Sequence, residues 1–301
     1  MPEHDDWKGS TDGTPWMHHA LIRLVRHIDL RWVYAFMAVF VVPFYLLFSH
    51  RGYMAIYRYF RRRHGYGVWR SFVCTWLNHY RFGQIILDRF AAYAGQQFHF
   101  ELDGYDEFRH LLAGDGGVLI LSCHVGNYEL AGYTFQSAAK TFNVLAYPGE
   151  AAAVKENRSR LLTANNIKMI SVADDLSHVI AISSALADGE VVSIPADRVF
   201  GSPRTIGTRL LGADVQLPYG PFAIAAQRGV PTLAIFVMKE SAYGYRVYIR
   251  RLNADASDTT VSRREEAGRL AGSFADELER VLRQYPEQWF NYYDFWHEDK
   301  Q

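Results

Sequence analysis

The stretch VLILSCHVGNYELAG, residues 118–132, sets the texture of most of the chain. Its first four residues are Val, Leu and Ile, closed by a serine and preceded by GDGG at 114–117. A short, fully apolar run between turn residues reads as a strand buried on both faces. Cys123 and His124 follow it, then Gly126, which permits a tight turn, and Asn127, suited to cap a helix that begins near Tyr128. Strand, turn and helix then recur on both sides. FHFELDG (98–104), GVLILS (117–122), FNVLAY (142–147), IKMIS (167–171) and EVVSIPA (190–196) read as strands. YDEFRHLLAGDG (105–116), NYELAGYTFQSAA (127–139), AAAVKENRSRLLTANN (151–166) and DLSHVIAISSALADG (175–189) read as helices. After a segment read as a loop come a helix (GPFAIAAQRG), two strands (VPTLAIFVM, YGYRVYIRRL) and a long final helix at 262–286. Alternation of this kind predicts an α/β fold, a central mostly parallel or mixed sheet flanked by helices.

In such sheets ligands gather at the carboxyl ends of the strands. His124 stands there, and Glu129 follows in what would be the first turn of the next helix, where the helix dipole favours an ionised carboxylate. Across a strand–turn–helix junction the two side chains can meet. A carboxylate on one imidazole nitrogen fixes the tautomer and leaves the other nitrogen as a base. This is a catalytic triad without its serine, so the nucleophile would come from the substrate. The chain has no G-x-S-x-G elbow, and Cys123, next to His124 in an extended segment, points the other way. Spacing alone is a weak signal and also admits a structural histidine with an unrelated surface glutamate. Asp197 and Arg198, in IPADRVFGSPR, also fall at a strand's carboxyl end. Arg198, Arg204 and Arg209 suit phosphate groups, or else these charges begin a loop and pair locally. GDGG precedes a strand instead of following one, which excludes a dinucleotide fingerprint. The two cysteines, Cys74 and Cys123, form no C-x-x-C pair and support neither a disulfide framework nor a zinc site.

A formal net charge of zero over 301 residues conceals an asymmetry. Between Leu30 and Leu87 there are eight arginines and no acid, while the remainder carries 24 basic and 32 acidic residues. Within that basic block WVYAFMAVFVVPFYLLF (32–48) runs seventeen residues without a charge and contains Pro43, which should kink it. Trp32, Tyr34 and Tyr45 suit a headgroup layer, and arginines beside aromatics suit anionic lipid. Spanning the bilayer, lying in its surface and packing as a core helix are three readings of this segment; an anchor is the one adopted. The expected organisation is a flexible lead (1–15), an N-terminal helical membrane-anchoring region (16–95) and an α/β domain (96–301). The lead lacks the basic n-region and apolar core of a cleaved signal peptide.

Four features together resemble the late acyltransferases of lipid A biosynthesis, within the wider lysophospholipid acyltransferase family. They are the basic aromatic helix beside an apolar anchor, His124-Val-Gly-Asn-Tyr-Glu129 after a buried strand, SIPADRVFG followed by PYGPFAIAAQRGVPTLAIF, and the closing YPEQWFNYYDFW. The resemblance runs over roughly residues 16–297. It implies a membrane-associated O-acyltransferase, taking an acyl chain from acyl carrier protein or acyl-coenzyme A to a hydroxyl of a phosphorylated lipid acceptor. It implies His124 and Glu129 as the catalytic dyad, with Asn127, Arg158, Asp197, Arg198 and Arg204 toward substrate and oxyanion. It further implies the cytoplasmic face of a bacterial inner membrane, with no metal, redox cofactor or nucleic acid required. The final aromatic signature ends in NYYDFW where the family has a basic pair, and an E-G-T-R block is missing. The acceptor therefore stays open: a lipid A precursor, an amino-acid lipid, a lysophospholipid or a polyene lipid. A non-catalytic binder of anionic lipid is the reading from another class.

Overall fold

The computed structural model describes residues 15–48, 50–130, 140–146, 166–172, 175, 177–199, 204–253 and 261–296. All but Pro15 of the expected lead, most of the helix at 127–139, and residues 151–165 with Arg158 lie outside the described residues. Nine strands are described: β1 (His99–Asp103), β2 (Val118–Ser122), β3 (Phe142–Ala146), β4 (Ile167–Ser171), β5 (Val191–Pro195), β6 (Thr205–Leu210), β7 (Ala213–Pro218), β8 (Thr232–Lys239) and β9 (Gly244–Arg251). Seven make one sheet in the order β1-β9-β8-β2-β5-β3-β4. The five strands from β8 to β4 are parallel, and β9 turns back antiparallel on β8 with β1 parallel to it. The sheet is therefore mostly parallel, as the alternation of elements predicts.

Side chains alternate across a strand, so each buried strand feeds two cores. Leu119, Leu121, Val192, Ile194, Ala234 and Phe236 face one layer, with α7 (Ser177–Ala187), α8 (Tyr219–Arg228) and α9 (Arg263–Gln284). Val118, Ile120, Val191, Leu233, Ile235 and Val237 face the other, with Phe108 and Leu112 of α6 (Tyr105–Ala113) and Ile85 of α5 (Val68–Tyr93). Helix α9 begins at a capping box, in which the Ser262 hydroxyl accepts from the Glu265 N–H and the Glu265 carboxylate accepts from the Ser262 N–H. Its buried residues, among them Ala267, Leu270, Ala271, Phe274, Leu278, Val281 and Leu282, recur at three and four.

The segment read as a loop before α8 is instead an antiparallel hairpin. β6 and β7 pair from Thr205↔Pro218 to Leu210↔Ala213, and the two-residue turn is Leu211-Gly212, both with positive φ (50° and 79°). That turn matches the strand twist. Leucine at its first position is disfavoured, and this concealed the hairpin in the sequence.

The N-terminal helices are α1 (Pro15–His27), α2 (Leu30–Phe36), α3 (Val42–Phe48) and α4 (His50–Arg58). The proline effect at Pro43 takes the form of a π turn, Met37–Val41, between α2 and α3. The ring of a helical proline collides with the carbonyl four residues back, and the wider turn relieves this. A second π turn, Tyr59–Arg63, follows α4. Residues 30–47 form a helix long and apolar enough to cross a membrane. Its buried side packs Leu30, Val33, Tyr34, Met37 and Val42 against Leu87 and Ala91 of α5. Trp32, Phe36, Phe40, Phe44 and Leu47 are exposed on the other side, at a spacing of about one turn. Tyr53, Met54 and Tyr57 of α4 and Val68, Trp69 and Phe72 of α5 line an apolar cleft of about 310 Å³. Arg61, Arg62 and Arg70 are exposed close to it in sequence.

Phe274 is fully buried, its ring 5.8 Å from that of Phe222 and 6.3 Å from that of Phe236. Phe274→Ala is expected to cost about 3–5 kcal/mol of folding stability, read as a lowered urea midpoint.

Candidate active site

β2 and β5 lie side by side with Val118 opposite Val191 and Ser122 opposite Pro195. The pairing continues past the strand ends, where the Ala196 N–H donates to the Ser122 carbonyl at 2.9 Å. One step further, His124 meets Asp197. The His124 backbone N–H donates to Asp197 Oδ2 at 2.9 Å, and its ring Nδ1 lies 2.9 Å from Asp197 Oδ1. The Asp197 side chain is fully buried, and that of His124 is 20% exposed.

Burial opposes the charge on both groups. It raises the carboxyl pKa, but His124 and Arg198 outweigh it and hold Asp197 below its usual range. An ionised carboxylate only accepts, so Nδ1 carries the proton and Nε2 has the free lone pair. Burial lowers the imidazole pKa, and Arg198 and Arg89 add to this against the pull of Asp197. The pair is thus a neutral imidazole on a charged acid, with Nε2 set to take a proton.

The carboxylate on the His124 ring is that of Asp197, where the sequence reading expected Glu129. Glu129 Oε1 lies 3.0 Å from Nη1 of Arg89 on α5, in the first turn of the helix that begins at Tyr128. The physical reason is the register. A residue five ahead must reach back round a turn, while a neighbouring strand delivers its carboxylate alongside. Arg89 also lies 5.8 Å from the centre of the Tyr128 ring, which meets the His124 ring edge-on at 5.5 Å.

The loop 124–127 is held from two sides. Gly126 (φ 60°) approaches β8, and the Asn127 N–H donates to the Val237 carbonyl at 2.7 Å. The Gly126 N–H donates to the Gln288 carbonyl at 2.9 Å, and the Phe290 N–H to the His124 carbonyl at 3.1 Å. The segment 287–290 is in turn fixed by Asn78 of α5, whose Nδ2 donates to the Trp289 carbonyl at 2.7 Å and the Glu287 carbonyl at 3.1 Å. The buried Trp289 ring sits among Tyr59, Phe295 and Trp296, with centres 4.9, 4.9 and 5.3 Å away.

Of the residues expected toward substrate, Asn127 is fully buried and its Nδ2 donates to Tyr245 Oη at 3.1 Å. Arg198 fastens the C-terminal segment, its Nε donating to Asn291 Oδ1 at 3.1 Å and its Nη2 to the Phe290 carbonyl at 2.9 Å. Arg204 is exposed just before β6. Burial and the neighbouring Asp197 push the Cys123 thiol well up, away from the thiolate form. Sequence reasoning missed Arg89, Tyr245 and Gln288, none of which lies near His124 in the chain.

Residues 82–297 match the family of bacterial lipid A biosynthesis acyltransferases. Among solved structures, the chain is similar to a 1-acyl-sn-glycerophosphate (LPA) acyltransferase, PlsC, from Thermotoga maritima, with 12% identity and a TM-score of 0.39, covering 92% of this chain and 99% of that one. No curated protein matches the chain in sequence.

A Cβ on Gly126 would stand 2.1 Å from the Val237 carbonyl oxygen, whereas one on Gly116 meets nothing within 4 Å. Gly126→Ala is expected to lower stability by about 2 kcal/mol or more, with Gly116→Ala near neutral, both read from urea midpoints.

Proposed function

Because the chain belongs to the bacterial lipid A biosynthesis acyltransferases, we propose that it moves a fatty acyl chain from a thioester, on acyl carrier protein or coenzyme A, to a hydroxyl of a lipid A precursor or a related envelope lipid. The observation that carries this reading is the His124–Asp197 pair at the carboxyl ends of two adjacent parallel strands. His124 Nε2 takes the proton of the acceptor hydroxyl as its oxygen attacks the thioester carbonyl. The tetrahedral oxyanion collapses, the C–S bond breaks, and the imidazolium returns the proton to the leaving thiolate. Asp197 fixes the tautomer and stabilises the imidazolium, which is the logic of a triad whose nucleophile arrives with the substrate. General-base assistance of this kind is worth on the order of a hundred- to ten-thousandfold.

Glu129, anchored to Arg89, is the second carboxylate of this proposal. It ties the helix after the catalytic loop to α5. A phosphorylated acceptor would meet Arg204 and Arg158. The region 16–95 serves as the membrane anchor, with the exposed face of Trp32, Phe36, Phe40 and Phe44 in the apolar layer and Arg61, Arg62 and Arg70 toward anionic headgroups. The arginines beside the anchor favour the cytoplasmic face of the inner membrane.

His124→Ala is expected to abolish transfer of label from acyl thioester to lipid while leaving membrane binding intact; unchanged transfer would remove His124 from the mechanism. Turnover should rise with pH as the imidazole loses its proton. The midpoint should lie below the ordinary value of about 6.5, because burial lowers this pKa. Asp197→Asn removes the one neighbour that raises it, so the acid limb should move to still lower pH as the rate falls. Glu129→Gln should lower the rate without moving that limb. The acceptor is read from envelope lipids of a deletion strain by mass spectrometry. Lipid A short of one acyl chain supports the proposal, and intact lipid A with another lipid lost names a different acceptor.

A further inference from the structure

Five buried polar side chains lie outside the chemistry just described and form one connected set. Asp88 of α5 and Lys239 at the end of β8 are both fully buried, with Lys239 Nζ 2.5 Å from Asp88 Oδ2. The Tyr34 hydroxyl donates to Asp88 Oδ1 and the Tyr245 hydroxyl to Asp88 Oδ2. Lys239 Nζ also donates to Tyr34 Oη at 3.2 Å and to the Ala242 carbonyl at 3.0 Å. Tyr245 Oη in turn accepts from Asn127 Nδ2 at 3.1 Å.

A buried ion pair is poor value as a stabiliser, since apolar residues of similar volume serve as well or better. What distinguishes this one is where its ends lie. Tyr34 belongs to the apolar segment 30–47, and Asn127 is three residues after His124, in the loop that aims the imidazole. The backbone of Lys239 adds a second attachment. Its N–H donates to Gln288 Oε1 at 2.9 Å, its carbonyl accepts from Gln288 Nε2 at 2.8 Å, and the Gln288 carbonyl receives the Gly126 N–H. The set therefore grips the catalytic loop at Gly126 and at Asn127, and grips the apolar segment at Tyr34.

We propose that Tyr34, Asp88, Lys239, Tyr245 and Asn127 form a positioning relay that sets the geometry of His124 and makes it depend on how the apolar segment is seated. The inference rests on the reading of His124 as the base of an acyltransferase. None of the five touches substrate; they act through the loop. The groups facing the imidazole itself are Asp197, Arg198, Arg89 and the Tyr128 ring. Loosening the loop lets water reach the ring.

The test uses the full chain in detergent micelles containing anionic lipid, with Tyr245→Phe, Tyr34→Phe and, as control, Tyr248→Phe. The Tyr248 hydroxyl pairs with that of Tyr285 and bonds to none of the five. Two readouts are followed: kcat and KM for acyl transfer, and the titration of the His124 ring by NMR, assigned with His124→Gln. In Tyr245→Phe and Tyr34→Phe, kcat should fall about ten- to a hundredfold with KM little changed, as for a misplaced base. The His124 titration should move up toward about 6.5 as the ring is hydrated. Tyr248→Phe should change neither. A His124 titration that superimposes on wild type in both relay variants overturns the proposal, whatever their activity. If Tyr245→Phe does not fold, Tyr34→Phe decides by the same titration. If the wild-type protein transfers no acyl group, the functional reading fails, and the titration still decides the relay.

Discussion

The parallel register between β2 and β5 is the constraint on which the rest of the site depends. Every residue of β2 faces the one 73 positions later in the chain, and that offset persists beyond the last ladder bond to His124 and Asp197. A slip of one residue would turn the aspartate to the opposite face of the sheet. The register is itself held by burial, because Val118, Leu119, Val191 and Val192 are enclosed on both faces of the sheet. Two apolar strands of no chemical interest thus determine which carboxylate touches the imidazole.

Electrostatics then shapes what the register assembles. A buried acid alone would take up a proton, and a buried imidazole beside an acid would tend to gain one. Here burial, with Arg198 and Arg89 close by, opposes the second tendency, and His124 with Arg198 opposes the first. The resting state is one charge and one neutral base, set by burial and by fixed neighbours. Such preorganisation leaves little to rearrange when a proton moves. Arg198 has a second role in the same place, since its hydrogen bonds to Asn291 and Phe290 hold the segment that supports the loop.

Most of the sheet was legible in the sequence because parallel strands buried on both faces are unbroken apolar runs, and VLILS, VVSI and TLAIFVM are such runs. The position of His124 at a strand's end was legible for the same reason. Its partner was not. Order along the chain says nothing of which strands become neighbours, and Glu129 was near in sequence while Asp197 was near in space. The hairpin β6–β7 was hidden by a leucine where a turn residue would be expected. Asp88 and Lys239 look like ordinary surface charges in sequence, and only their enclosure at the meeting of α2, α5, β8 and β9 gives them meaning.

The hold of residues 288–290 on the loop at 124–126 has a bearing on biosynthesis. Ribosomes deliver the sheet's central strand well before the stretch that braces the turn after it. Until that stretch emerges, Gly126 and His124 lack two of their backbone partners, and the nascent polypeptide carries its histidine on an unbraced turn. The turn that carries His124 thus takes its braced form only once residues 288–290 have been made.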